Sequence, residues 1–296
     1  MALVPMQTLL ADARAGGYAV GYFEAWDPYS LEAVVEAAEA ERAPVVLGFG
    51  CLLVDQGWLD GGGIEVLGGI GQEVAERAGV PTCLLLNEAH TYEQAVRGMD
   101  AGFGAVMLHT DGSLGSIGEV ASLVAAAHAR GVAVEGELGA LPEARGTEID
   151  RDGASLTDPD EARSFVEETG VDCLAVSFGN VHLLEGRTAE IDLDRLQEIH
   201  RRVDVPLVVH GGTGFPPGSV EGAIARGVAK FNVGTVLKQA FFDGVADALS
   251  GARAGLGPHD LVGSHRSTDV LEAGKAKMVP VVRDLIRLYG SAGRAA

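Results

Sequence analysis

Histidines and acids stand directly after a series of short apolar runs in this sequence. In chain order they are Glu24, the pair Asn87-Glu88 with His90 behind it, His109, the alternating Glu135 and Glu137, Asn180 with His182, then His210 and Asn232. Histidines and several carboxylates brought to one mouth by separate strands are the donor set of a divalent metal site, with zinc the leading candidate. Taken singly, His182 or His210 reads more readily as a hydrogen-bonded core or rim histidine, so the convergence is what favours ligation. His128, His200, His259 and His265 fall on helical stretches or near the C-terminus and are expected in solvent or capping roles.

Two glycine-containing loops point to an anion. His210 is followed by Gly211-Gly212-Thr213-Gly214, and Phe231 by Asn232-Val233-Gly234-Thr235, which opens a helix. Glycines let backbone N–H groups approach a bound anion, and a helix N-terminus adds a favourable dipole. A phosphorylated small substrate is the expectation, against the plainer reading of two tight turns.

Such residues need a frame that carries them to one end. Apolar runs rich in valine, isoleucine and leucine recur at Tyr18–Phe23, Pro44–Phe49, Pro81–Leu86, Ala105–His109, Ala133–Glu137, Cys173–Ser177, Pro206–His210 and Lys230–Val233. They are continuous and not alternating, as in parallel strands covered on both faces. Between and after them the periodicity predicts helices over Ser30–Glu41, Ile64–Ala78, Tyr92–Ala101, Ser116–Ala129, Pro159–Glu168, Leu193–Arg202, Gly218–Ala225 and Thr235–Leu249, with Ser30 as the first N-cap. Eight strand–helix units describe one closed (β/α)8 barrel domain spanning 1–296, with a doubly wound open sheet as the alternative. Residues 251–296 form a C-terminal extension: a glycine joint over Gly251–Gly257 and a last helix over Thr268–Leu288, more suited to packing or subunit contact than to catalysis. The glycines between Gly62 and Gly71 lack the strand-then-GxGxxG order of a dinucleotide site and read as loop and helix start.

Composition narrows the partners. The chain has 296 residues, 47% hydrophobic and 5% aromatic, with 42 acidic against 22 basic side chains and a formal charge of -20. That field repels nucleic acid and anionic membranes, and so few aromatics argue against a base-stacking platform. No apolar stretch is long enough to span a membrane, and Met1 to Leu10 lacks the pattern of a secretory signal, so a cytoplasmic protein is expected. Cys51, Cys83 and Cys173 are odd in number and far apart, which suits buried thiols in a reducing compartment.

Together these residues resemble the class II, metal-dependent fructose-bisphosphate and tagatose-bisphosphate aldolase family. The resemblance rests on Gly16-Gly17-Tyr18-Ala19-Val20-Gly21, Val134-Glu135-Gly136-Glu137-Leu138-Gly139, Gly179-Asn180-Val181-His182, His210-Gly211-Gly212-Thr213-Gly214, Asn232-Val233-Gly234-Thr235 and Gly290-Ser291-Ala292-Gly293, in that order over nearly the whole chain. It implies a barrel lyase, a homo-oligomer of dimer or tetramer size, acting on a phosphorylated sugar with Zn2+ or another divalent ion. By resemblance His182 and His210 are metal ligands, Gly211, Thr213, Gly234 and Thr235 line a phosphate, and Asn232 binds a hydroxyl or keto oxygen. Lys238 stands where the family usually carries an arginine for a distal phosphate.

The chain departs from that pattern inside the site. An Asp-His-Gly turn is replaced by Asn87-Glu88-Ala89, and an asparagine amide carries no proton at neutral pH. Glu88 retains ligand oxygens, so a site of Glu88, His182 and His210, with Glu137 near it, remains chemically sensible. An aspartate after the fourth strand becomes His109, an asparagine after the first becomes Glu24, and a glycine and a lysine after the histidine ligand become Leu183 and Glu185. Position 87 thus holds the catalytic place without its acid, and Glu24, His90 and Glu143 are the candidate proton carriers. Three functions follow: an aldolase with an altered acid–base group, a non-catalytic aldolase-like subunit, or a different lyase or isomerase using the same enediolate chemistry.

Overall fold

The computed structural model describes residues 3–145, 148–184, 186–251 and 255–295. Eight parallel strands close into a barrel: β1 (Val20–Ala25), β2 (Val45–Gly50), β3 (Thr82–Ala89), β4 (Ala105–Leu108), β5 (Ala133–Leu138), β6 (Cys173–Val176), β7 (Leu207–Val209) and β8 (Val228–Val233). β1 pairs with both β2 and β8, so the ring has no free edge and the open-sheet alternative is excluded.

Both faces of the strands are covered, which is why their sequences run apolar without alternation. Outward residues such as Phe23, Phe49, Leu86, Val134 and Phe231 join the helices in one large core. Inward residues, among them Val20, Tyr22, Val46, Leu85, Ala105 and Cys173, form a second cluster inside the barrel. Met6, Leu9, Leu10 and Ala13 of a helix over Met6–Gly16 belong to that inner cluster. They pack against the first residues of several strands and so close the barrel at its amino end, leaving the carboxyl end for the site. The sequence reading assigned no element to this helix.

The expected helices form with ends shifted by one or two residues at most positions. The first begins at Pro28, not Ser30, and its N-cap is Asp27, whose carboxylate accepts from Ser30 N–H at 2.7 Å. Ser30 instead completes a capping box, its hydroxyl accepting from Asp27 N–H, and Pro28 suits the first turn because its missing N–H needs no partner. The glycines after Trp58 form a π-turn over Leu59–Gly63 that runs into the helix Ile64–Arg77.

The last helix, Val270–Leu288, packs against the helices Pro28–Glu41 and Thr235–Ser250. Gly244 makes the closer approach possible, since a Cβ there would lie 2.4 Å from Ala273 O. Arg283 and Arg287 both pair with Glu41, and Tyr289 stacks on Phe231 with ring centroids 4.5 Å apart. Within the expected joint, residues 252–254 lie outside the described residues, as does Glu185.

Candidate active site

The loops at the carboxyl ends of the strands enclose a cavity of about 480 Å³. Glu24, Asn87, Glu88, His182, Gly211, Thr213, Asn232, Gly234, Thr235 and Lys238, ten of the residues singled out from sequence, line it. His210 lies buried at its floor.

Glu88 reaches the cavity through an irregularity in β3. The register with β4 slips between Leu86 and Ala89, and Glu88 takes a left-handed backbone with φ 58°. That conformation costs a side-chain-bearing residue roughly 1–2 kcal/mol, and such local strain collects at functional sites. Asn87, also buried, donates from Nδ2 to Glu88 Oε2 at 2.9 Å and so fixes the carboxylate.

The two histidines are held by their loops. Asn180 is fully buried, and its amide donates to Val176 O at 3.2 Å and to His210 O at 3.0 Å, tying the loop after β6 to the end of β7. Gly211 has φ 71°, and a Cβ on it would lie 2.2 Å from Val181 O, so no larger residue fits where the loops touch. The backbone of His182 pairs with a hairpin strand, Glu143–Arg145, with His182 N–H donating to Pro142 O and Ala144 N–H to His182 O, both at 2.9 Å. The rings of His182 and His210 face each other with centroids 5.6 Å apart.

One ligand atom each from Glu88, His182 and His210 lie within 4.8 Å of one another. Glu88 Oε1 is 3.5 Å from His210 Nδ1, close to the roughly 3.3–3.6 Å that separates two donors on a tetrahedral ion with bonds near 2.0–2.2 Å. Two imidazoles and a carboxylate with a solvent-facing side fit a catalytic divalent site. Glu137 lies 4.0 Å from His210 Nδ1, outside this three-donor group.

Beneath the three lies a charged network. His210 Nε2 is 2.8 Å from Glu135 Oε1, and Lys230 Nζ is 2.7 Å from Glu135 Oε2 with neither side chain exposed. Lys230 also donates to Asn232 Oδ1 at 2.5 Å, and Asn232 Nδ2 is 2.8 Å from His210 Nε2. A carboxylate on the far nitrogen of a ligand histidine fixes the ring and leaves the other nitrogen for the ion. Burial pulls the imidazolium of His210 down, but the hydrogen bonds to Glu135 and Glu88 outweigh it and raise the group to about 10. Burial pushes Glu88 and Glu135 up, yet His210, joined by Lys230 for Glu135, holds both at about 2. His182 is lowered to about 4, first by burial, and burial with the charges of Glu88 and Glu135 raises Glu137 to about 7.

Glu135 was listed among the polar residues after the strands but given no role, and Lys230 was not singled out for the site. Period-two spacing carried the signal: Glu135 and Glu137 share one face of β5, and Lys230 shares the face of Asn232 in an otherwise apolar run. Tyr22, on β1, was missed as well; its ring lines the cavity and its buried hydroxyl has no partner.

The opposite wall is the glycine cradle. Gly211, Thr213, Gly234 and Thr235 meet at the N-terminus of the helix Thr235–Ser250, with Val236 N–H donating to Thr213 Oγ1 at 3.3 Å. His90 and Glu143 do not line the cavity. His90 sits against His109, ring centroids 5.7 Å apart, and its Nε2 is buried without a partner. Glu143 lies behind the wall formed by Ala144, near enough for its charge to act on His182. The remaining histidines stand apart, His128 on Asp172 and His265 against Tyr29.

Comparison with known proteins finds relatives over the whole length of the chain. The chain is 33% identical over its whole length to a sulfofructosephosphate aldolase of Alkalicoccus urumqiensis, covering 99% of that protein. It is 32% identical to a fructose-bisphosphate aldolase of Geobacillus stearothermophilus, each chain covered in full. The crystal structure of the YdjI aldolase from Escherichia coli K12 superposes with a TM-score of 0.81 at 26% identity, over 99% of this chain and 100% of that one. The family model for class-II fructose-bisphosphate aldolase matches residues 4–294. With a family model matched over nearly the whole chain and relatives above 30% identity covered end to end, the chain belongs to the class II fructose-bisphosphate aldolase family of lyases.

Proposed function

We propose that this protein is a divalent-metal aldolase, with Zn2+ the favoured ion, that cleaves or forms a carbon–carbon bond in a phosphorylated ketose. One observation carries the reading: Glu88, His182 and His210 converge within 4.8 Å at one side of a cavity whose other side is a glycine cradle at a helix N-terminus. Gly211, Thr213, Gly234 and Thr235 hold the phosphate of a glycerone-phosphate unit through backbone and hydroxyl donors. Asn232, fixed by Lys230, presents its amide to a hydroxyl or keto oxygen of that unit. Glu88, His182 and His210 would hold the ion. When bound, it supplies Lewis-acid polarisation of a carbonyl. Asn87 orients Glu88 and moves no proton. Proton transfer falls to Glu24, the one of Glu24, His90 and Glu143 that lines the cavity.

The acidic surface and the buried free thiols of Cys51, Cys83 and Cys173 support a cytoplasmic setting, and exposed Leu53 and Phe242 beside the mouth support assembly as a homo-oligomer. Asn87 favours a second reading, a non-catalytic relative that keeps the pocket. Elemental analysis of the purified protein and of His210→Ala, with glycerone-phosphate release from fructose 1,6-bisphosphate and fructose 1-phosphate assayed alongside, separates the two. The aldolase reading expects near-stoichiometric metal that the substitution removes, together with cleavage of one of these sugars. Full activity in His210→Ala refutes the metal centre, and absence of metal from the native protein favours the non-catalytic relative.

A further inference from the structure

Tyr22 reaches the cavity from inside the barrel. On β1 it is level with Val46 of β2 and Asn232 of β8, and it belongs to the inner apolar cluster. Its ring climbs from there toward the carboxyl end, the way strand side chains lean along the strand. A Cβ on Gly48, two residues beyond Val46 on β2, would lie 3.0 Å from Tyr22 Cε2, so the missing side chain at 48 makes room for the ring. The Lys230 ammonium lies 5.3 Å from the ring centroid and covers one face. The hydroxyl, at the far end of the ring, is the leading atom of a side chain that lines the cavity together with Asn87, Glu88 and Asn232.

That hydroxyl is buried and has no hydrogen-bond partner among the described residues. Burial, with the charges of Glu24 and Glu88, raises it further above the ordinary phenol range, so at neutral pH it keeps its proton and is a donor. A buried donor without an acceptor costs free energy, and a phenylalanine would fill the same space without that cost, so the oxygen works against the stability of the ligand-free protein. The acceptors nearest to it in the cavity are already engaged: Glu88 by Asn87, Glu24 by Lys238, and Asn232 Oδ1 by Lys230. An oxygen-rich ligand supplies what is missing. With its phosphate in the glycine cradle, it carries its keto and hydroxyl oxygens toward Asn232, and Tyr22 stands beside Asn232 on the adjacent strand.

We infer that the Tyr22 hydroxyl is a ligand-binding donor of the site, which takes a keto or hydroxyl oxygen of the glycerone-phosphate unit as its acceptor. This role rests on the phosphate-cradle reading proposed above. It is tested with Tyr22→Phe, which removes one oxygen and keeps the ring, by calorimetric titration of the zinc-reconstituted protein with two probes. Glycerone phosphate offers both a phosphate and the oxygens, and methyl phosphate offers the phosphate alone. The expected result is that the variant binds glycerone phosphate about tenfold more weakly and methyl phosphate as the native protein does. Without ligand, it is expected to melt within about 1 °C of the native protein or above it, because an unmet donor has been removed. Circular dichroism confirms that the barrel is intact, and Tyr22→Leu repeats the comparison if the phenylalanine variant fails to fold. Unchanged affinity for glycerone phosphate in a folded variant overturns the role of Tyr22 and leaves the cradle standing. A variant that melts lower and loses both probes alike shows a purely structural hydroxyl and overturns it as well. If glycerone phosphate does not bind the native protein, the cradle reading itself is refuted and the role of Tyr22 falls with it.

Discussion

Lys230→Met tests whether the buried network beneath the site is as tightly coupled as its geometry states. The ammonium has no exposed surface and is the cationic partner of Glu135 at 2.7 Å. Methionine fills most of the same volume, so the loss is mainly electrostatic. Glu135 Oε1 keeps His210 at 2.8 Å, while Oε2 is left with the weak donor Cys173 Sγ at 3.7 Å. Asn232 Oδ1 loses its 2.5 Å donor as well. Removing one partner of a buried pair costs about 3–5 kcal/mol, because an uncompensated charge stays behind. For a chain of 296 residues this lowers the thermal midpoint by roughly 5–8 °C. Adding Glu135→Gln removes the stranded charge while its amide oxygen still accepts from His210, so the double variant is expected to regain part of the loss. Thermal denaturation followed by circular dichroism, with metal content measured in parallel, decides the matter. A single variant within about 1 kcal/mol of the native protein, or a double variant less stable than the single, refutes the coupling.

Two further outcomes follow from the same site. At pH 7 His210 is held protonated and His182 neutral, so binding of Zn2+ is expected to release about one proton, and apparent affinity to weaken as pH falls from about 10, with a second proton competing below about 4. Calorimetry of zinc binding in buffers of different ionisation enthalpy measures the proton count, and a count of zero contradicts the assignment. Asn87→Asp turns the donor that holds Glu88 at 2.9 Å into a second carboxylate whose repulsion of Glu88 a divalent cation relieves, so alone it is expected to strengthen zinc binding by about tenfold while destabilising the metal-free protein. Combining it with Glu88→His removes the repulsion, and cleavage is expected to rise only in the double variant. An equal gain from Asn87→Asp alone shows that the two positions are not coupled.

Much of the frame was legible because its physics is local. Strands such as Val45–Gly50 and Cys173–Val176 must be apolar on both faces, and this leaves an unbroken run in the sequence. The helix Met6–Gly16 was not legible: it caps no strand–helix unit, and its apolar face is explained only by the barrel end it covers. The hairpin of Glu143–Arg145 and Glu148–Asp150 was missed for a similar reason, since its pairing with His182 is a tertiary contact with no periodic signature. In the site, His182, His210 and Glu88 were legible as polar residues after strands. Glu135 was visible in the same way, but Lys230 lies within a strand and its pairing with Glu135 does not show until the barrel brings β5 and β8 to the same interior.

The departures at the mouth show which layer of the site tolerates change. Leu183 stands where the resemblance expects glycine, yet its backbone keeps a left-handed conformation with φ 56°. Glu88 likewise carries a carboxylate on a left-handed turn at the end of β3. At both places a residue with a side chain occupies a left-handed backbone, and at Glu88 that turn carries the carboxylate into the cavity. Asn87 with Glu88 and Glu24 with Lys238 are each mutually satisfied by a hydrogen bond or ion pair. At these two places the changed side chain meets a partner and the cavity stays open, which is the condition for a site that still binds a ligand, while His90 Nε2 and His109 Nδ1 beside it are buried without one.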